Sequence, residues 1–317
     1  MFHIVENRRW YFLLSALVIV PGLLSMIYCM ITFGAPFRVG IDFTGGSLWE
    51  VSFPQAVQSL AVRSVFVDNG YPDTLVTSVG DAKTVEIRTK PLDEVARQKL
   101  LKAMGDKVGP VTELQFSSVG PTIGAEVTQA ASLAVIAMAF VILGFMVVAF
   151  RKAPNPWRWG VSAIVAMIHD LLVTVGVFSI LSLLLGWEAD ALFLTAVLTV
   201  LGFSVQDTIV VFDRIRENVP KYRGEPLRRV VDRSLLETLH RSLAIHLTAL
   251  FVMAAILIFG GPTIKPFIAV MLIGITTGTY SSIFNASQIL VGWDEGDVLG
   301  LHTQGQIEAA PKASLAA

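Results

Sequence analysis

One cysteine, Cys29, is all the thiol chemistry in this 317-residue chain. It can form no internal disulfide and no multi-cysteine metal site, and it leaves the redox compartment open. Charge is scarce as well: Asp, Glu, Lys and Arg make up 15% of the residues, against roughly a quarter in a soluble domain. Twenty-four Lys and Arg stand against 25 Asp and Glu, for a net charge of -1. Without a cationic excess the counterion release that drives nucleic-acid binding is missing, so non-specific DNA or RNA binding is excluded. Also absent are the phosphate-loop pattern G-x-x-x-x-G-K-S/T, H-E-x-x-H, G-x-S-x-G and the glycine-rich dinucleotide fingerprint. No cofactor, resident metal or ATP site is therefore expected. The remaining energy source is an ion gradient, worth about 2.3 kcal/mol per charge per 100 mV.

Apolar sequence is what the chain has in excess, with 54% hydrophobic residues. Six stretches, at about 11–32, 128–150, 160–185, 191–212, 240–260 and 266–291, reach the roughly 20 apolar residues that a spanning helix requires. The first is too long for a signal-peptide core and lacks a small-x-small cleavage site, so it reads as an uncleaved anchor, with a kink expected at Pro21-Gly22. Tyr28 beside Cys29 argues against a lipoprotein cleavage site. Cations fall in alternate short connections: Arg8 and Arg9, then Arg151, Lys152 and Arg158, then Arg214, Arg216, Lys221, Arg223, Arg228, Arg229 and Arg233. The positive-inside rule places these in the cytoplasm, with both termini inside and residues 34–127 outside.

The outer segment switches hydrophobic period in a definite order. Strands are expected at Gly46–Phe53, Leu75–Val79, Thr84–Arg88 and Val111–Phe116, with a hairpin turn at Gly80-Asp81. Amphipathic helices are expected from Val57 to Asn69-Gly70 and from Asp93-Glu94 to Gly105. The order β-α-β-β-α-β is the ferredoxin-like split. The fold class is thus a six-helix membrane protein with one α+β ferredoxin-like extracytoplasmic domain between the first and second spans. Its divisions are 1–33 (N-terminus and first span), 34–127 (outer domain), 128–293 (five spans with a basic cytoplasmic loop at 213–239) and 294–317 (cytoplasmic tail), with Ala309–Ala317 expected to be disordered. Within the basic loop, Leu227, Val230, Val231, Leu235 and Leu239 predict a helix lying on the cytoplasmic membrane face.

Ionisable residues inside spans carry the functional signal. Asp207 lies about one and a half turns inside the cytoplasmic end of the fourth span, where a carboxylate costs roughly 2.5 to 3.5 kcal/mol. Ser204, three back, and Arg214, seven on, extend a polar stripe to the cytoplasmic rim. Arg241 opens the fifth span and reaches Asp207 if the two helices neighbour; a snorkelling cation is the competing reading. Thr248 shares the face of Arg241, whereas His246 lies about 140° round and off that stripe. Asp170, after His169 near the middle of the third span, has Thr174 one turn along its face. Two buried acids and an arginine on three helices resemble proton relays, in which a carboxylate alternates between protonated and paired states; a static hydrogen-bond network is the alternative. Gly274, Gly278, Ser282 and Ala286 form a small-residue ridge along the sixth span, permitting close helix packing.

Several longer motifs carry a family resemblance. Gly40-Ile41-Asp42-Phe43-Thr44-Gly45-Gly46, Val119-Gly120-Pro121-Thr122-Ile123-Gly124, the stretch from Gly202 to Asn218, Thr238-Leu239-His240-Arg241, Phe259-Gly260-Gly261-Pro262 and Gly278-Thr279-Tyr280-Ser281-Ser282-Ile283-Phe284 occur in the order found in the SecF family, which the chain resembles up to about residue 295. That resemblance implies an RND-type half-bundle pairing with six spans of SecD. It further implies association with the SecYEG translocon, YajC and YidC, and unfolded preproteins as clients at the bacterial plasma membrane. Asp207 and Arg241 match the family's proton-pathway acid and arginine. Two departures stand out: Gln206 replaces the usual Asn, and Ile245-His246 replace a frequent Thr-Ser pair, which removes hydroxyls near Arg241 and leaves His246 as a substitute donor. Half of a small-molecule RND exporter and a non-pumping assembly subunit are the competing functions; exporters carry larger outer domains than 34–127 can supply.

Overall fold

The computed structural model describes residues 4–297 except 80, 81, 152 and 154, so the expected Gly80-Asp81 turn and the Ala309–Ala317 tail lie outside the described residues. The chain divides into two compact units, 39–133 and the remainder, with the boundary inside a helix.

The outer unit follows the alternation of its sequence. It contains α2 (Ile41–Thr44), β1 (Gly46–Ser52), α3 (Ser59–Asp68), β2 (Leu75–Val79), β3 (Thr84–Thr89), α4 (Glu94–Lys107) and β4 (Thr112–Val119). The strands form one antiparallel sheet in the order β2-β3-β1-β4. Trp49, Val51, Val85 and Ile87 point to one face and are buried with Val62, Val65, Phe66, Leu100 and Met104 of α3 and α4. Period-2 strands against period-3.6 helices make this a two-layer core. Asp93 caps α4 by accepting from the Ala96 amide at 2.8 Å. The two glycine-bearing motifs meet here. Gly45 has φ 72° and its α-carbon faces Pro121, while a β-carbon on Gly124 would lie 2.8 Å from the Phe43 carbonyl oxygen. Only glycine lets these two backbones approach so closely.

Among the described residues, six helices are long and apolar enough to cross a membrane. They are α1 (Arg8–Phe33), α5 (Pro121–Ala149), α6 (Pro156–Leu185), α7 (Ala191–Lys221), α8 (Leu227–Phe259) and a sixth built from α9 (Lys265–Ser281), a π-turn (Ser282–Ala286) and α10 (Ser287–Glu295). Three differences from the expected boundaries have physical causes. The second span begins seven residues early, because Pro121 suits a first helical turn and α5 runs on from there. The expected surface helix at Leu227–Leu239 is the first third of α8, unbroken for 33 residues, since no proline or glycine interrupts it. Its apolar side chains Val230, Val231 and Leu235 are buried in protein instead of facing the membrane surface. The small-residue ridge of the sixth span is split: Gly274 and Gly278 lie on α9, while Ser282 and Ala286 fall in the π-turn, where the register shifts by one residue.

Helix packing in the membrane unit relies on close contacts. Gly22 of α1 meets Gly176 of α6 so closely that a β-carbon on Gly22 would sit 2.7 Å from the Gly176 α-carbon. A methyl on Gly274 would overlap Val200 of α7. At one end of the unit Arg8 bonds Glu295 at 2.9 Å and Asp297 at 3.2 Å, and Arg228 bonds Glu295 at 2.9 Å. This clasp ties the start of α1 to α8 and to the end of α10.

Candidate functional site

Two buried carboxylates, Asp170 and Asp207, lie within apolar stretches of the spans, and each is held by groups from several helices. Asp170 on α6 is fully buried. Its Oδ2 accepts from the Ser204 hydroxyl of α7 at 2.5 Å and from the Ser281 hydroxyl of α9 at 2.6 Å. Its Oδ1 lies 2.9 Å from Nδ1 of His169. The other ring nitrogen of His169 is 2.9 Å from Ser15 of α1, and the Asn285 amide donates to the same Ser15 oxygen at 3.2 Å. Asn285 belongs to the π-turn, whose wider winding re-aims side chains relative to an ordinary helix. The result is a continuous polar path through α1, the π-turn, α6, α7 and α9. Gly278 backs it, since a β-carbon there would be 3.2 Å from the Ser204 α-carbon and 3.7 Å from Asp170 Oδ2.

Asp207, one turn beyond Ser204 on α7, is buried. Its Oδ2 is 3.1 Å from Nε2 of His246 on α8, and the Thr279 hydroxyl of α9, which donates to the Ile275 carbonyl at 2.9 Å, lies beside the carboxyl group. The Nδ1 of His246 donates to the Ser242 carbonyl at 2.7 Å, which fixes the ring. Among the described residues no group of three or more His, Cys, Asp or Glu side chains is placed to hold a metal ion.

The residues expected from sequence divide into two sets. Asp170, Ser204 and Asp207 come together in the core, with Thr174 buried on α6 and its hydroxyl without a hydrogen-bond partner. Arg241, Gln206 and Thr248 instead face outward from this chain. The expected contact between Arg241 and Asp207 is therefore not made within the chain: His246 occupies the position opposite the carboxylate. The angular argument explains the exchange, because residues five apart on a helix differ by about 140° and only one of the two can face α7. Arg214, half-buried in the last third of α7, pairs with Glu237 at 2.6 Å and Glu217 at 2.9 Å, outside the buried path. His169, Ser15, Ser281, Asn285 and Thr279 were not singled out from sequence as members of the site. A polar residue every few positions on otherwise apolar helices is the signal that marks them.

A bundle of six apolar helices with hydrogen-bonded carboxylates at its centre, carrying an α+β domain between its first two spans, defines a multi-pass membrane transport subunit. The family model described as protein export membrane protein SecD/SecF, C-terminal, matches residues 99–296. Protein translocase subunit SecF of Thermobaculum terrenum is 44% identical over 98% of this chain and 99% of its own length. That of Anaerolinea thermophila is 43% identical over 94% of this chain and 96% of its own. The chain belongs to the SecF family of protein translocase subunits. The crystal structure of SecDF from Thermus thermophilus, a translocon-associated membrane protein, superposes with a TM-score of 0.76 at 32% identity, covering 92% of this chain. This chain spans only 38% of that SecDF chain.

Proposed function

We propose that this subunit pairs with a SecD subunit in the bacterial plasma membrane and uses inward proton flow to promote preprotein translocation at the SecYEG translocon, alongside YajC and YidC. The observation that carries the reading is the pair of buried carboxylates, Asp170 and Asp207, reached by hydroxyls and imidazoles from α6, α7, α8 and α9. Charges buried at such a depth are expensive, and their usual return is ion or proton transfer. Asp207 is the titrating acid near the cytoplasmic side. Asp170 and the hydroxyls of Ser204 and Thr174 precede it on the way in. Both termini are cytoplasmic, as the cations of the short connections require. Arg241, Gln206 and Thr248 lie on the surface that SecD covers, and Arg241 acts there with groups of the partner. The outer domain moves with these helices and engages the unfolded client.

The experiment is Asp207→Asn in cells lacking the wild-type protein. An amide is cheaper to bury than a carboxylate, so the variant accumulates in the membrane and co-purifies with SecD, while stimulation of secretion is lost. Normal secretion by this variant overturns the reading.

A further inference from the structure

The hydrogen-bond geometry around His246 fixes how many protons its site holds. A backbone carbonyl only accepts, so at 2.7 Å from the Ser242 oxygen Nδ1 of His246 carries a hydrogen. With that hydrogen in place, the Nε2 of a neutral ring is an acceptor, and so is an ionised Asp207 carboxylate. Two acceptors do not rest 3.1 Å apart in a buried site; one proton lies between Nε2 and Oδ2. Either the acid is protonated and donates to a neutral ring, or the ring is cationic and donates to a carboxylate, and the two forms have the same proton count.

We infer that His246 and Asp207 form a single proton-sharing dyad, in which His246 is the group that exchanges the transported proton with Asp207. This deepens the proton-driven reading and rests on it. Protonation and release then belong to the pair, not to the acid alone. Releasing the shared proton toward the cytoplasm leaves a neutral ring and a carboxylate facing each other with lone pairs, one net negative charge in all. The contact between α7 and α8 is then repulsive until a new proton arrives along the path from Asp170. The helices therefore have a reason to part once per proton. An arginine in this position would stay charged throughout, whereas an imidazole has a neutral form as well as a cationic one.

The groups facing the dyad support this account. From α9 comes only the Thr279 hydroxyl, from α6 the carboxylate of Asp170 with His169 beside it, and from α7 the Ser204 hydroxyl bonded to Asp170. No lysine or arginine side chain of this chain bonds either member of the dyad among the described contacts, so the imidazole is the cation that an ionised Asp207 has available. A nitrogen ligand that is itself basic suits a proton and not an alkali cation, which prefers oxygen donors.

The test uses vesicles holding the full chain with SecD, in which proton flux driven by a pH gradient is followed as a function of pH. The comparison covers wild type, Asp207→Asn, His246→Gln and His246→Ser. Glutamine can still donate a hydrogen bond to Asp207 but cannot take up a proton. Serine offers a hydroxyl that can donate to Asp207 but cannot take up a proton, and keeps the site small. The expected result is that both His246 variants assemble with SecD, lose about tenfold or more of the flux and shift the pH at which the remaining flux is half-maximal. If Asp207→Asn stops the flux while His246→Gln and His246→Ser keep it with an unchanged pH profile, the dyad is overturned and the proton reading survives. If Asp207→Asn also conducts normally, both fall. Should glutamine alone restore the wild-type profile, His246 only positions the acid and the inference fails.

Discussion

Glu86 on β3 sits directly across from Glu50 on β1, half-buried on the sheet face opposite the helices, with Arg88 two residues along. Burial pushes its carboxyl above the ordinary glutamate range; Arg88 pulls it partway back and Glu50 adds to the rise. In the window between the ordinary and the raised value the folded domain binds more protons than the unfolded chain. Stability there falls as pH rises. The ionised form is the disfavoured one, so Glu86→Gln should stabilise the sheet at neutral pH by about 0.5 kcal/mol or less, as befits a half-exposed charge. The gain should shrink through that window and vanish below the ordinary value. Amide hydrogen exchange of β3 in the full-length protein, at neutral and acidic pH, measures both. A gain that persists in acid would show that packing, not charge, decides this position. At the same scale, Asp170, Ser204 and Asp207 could be picked out in the sequence because a carboxylate in an apolar run has few uses. The partner of Asp207 could not. Spacing fixes the angle between Arg241 and His246 but not which of them turns inward, and a helix apolar almost all round carries no amphipathic phase to settle it.

At the scale of elements, the glycines of α9 do more than fill space. Gly274 lies against Val200 and Gly278 against Ser204, so the spacing of four sets α9 on α7 within this chain. Gly274→Leu must force Val200 and the helix away, and overpacking of this kind costs about 1 to 3 kcal/mol. Thermal unfolding of the detergent-solubilised chain without its partner should register that loss. An unchanged melting curve would place the ridge at an interface with another subunit. Gly278→Ala is the subtler probe, because its methyl presses on the Ser204 backbone and should disturb the bond to Asp170 with little loss of stability. The ridge and the outer-domain elements were readable because their periods, four along a helix and two along a strand, are written in apolar residues. The crossing of Gly22 with Gly176 was not, since neither glycine has a small residue four positions away to set a period. The π-turn escaped notice for a similar reason: it inserts one residue without any change in composition.

For the whole molecule, the question is which surface meets a partner and which meets lipid. The most apolar windows of α5 and α8 are only 11% and 17% buried, against 61% for the sixth span, so these two helices present the largest uncovered faces. Their chemistry differs. Between Leu133 and Val148 the exposed positions of α5 include Ile136, Phe140, Val141 and Phe145, a surface suited to acyl chains. On α8 the exposed side includes Leu243, Ile245 and Phe251 but also Arg241 and Thr248, and Gln206 is exposed on the neighbouring α7. Thr248 stands eleven residues before Phe259, about 16 Å from the C-terminal end of a helix rising 1.5 Å per residue, which is near mid-membrane. Arg241 is seven residues closer to the opposite rim, where lipid alone would leave it to snorkel. A glutamine beside Asp207, level with His246, and an arginine nearer the rim on the adjacent helix are better satisfied by the polar groups of a partner than by hydrocarbon. The expected outcome is that SecD covers the face of α8 and that α5 is the lipid side. Single cysteines test this in a Cys29→Ser background, where the native thiol, already buried, is removed. Thr248→Cys should crosslink to cysteines scanned through the SecD spans, and Phe140→Cys should react only with a probe dissolved in the bilayer. Crosslinking through position 140 with none through 248 would reverse the assignment and put Arg241 in contact with lipid.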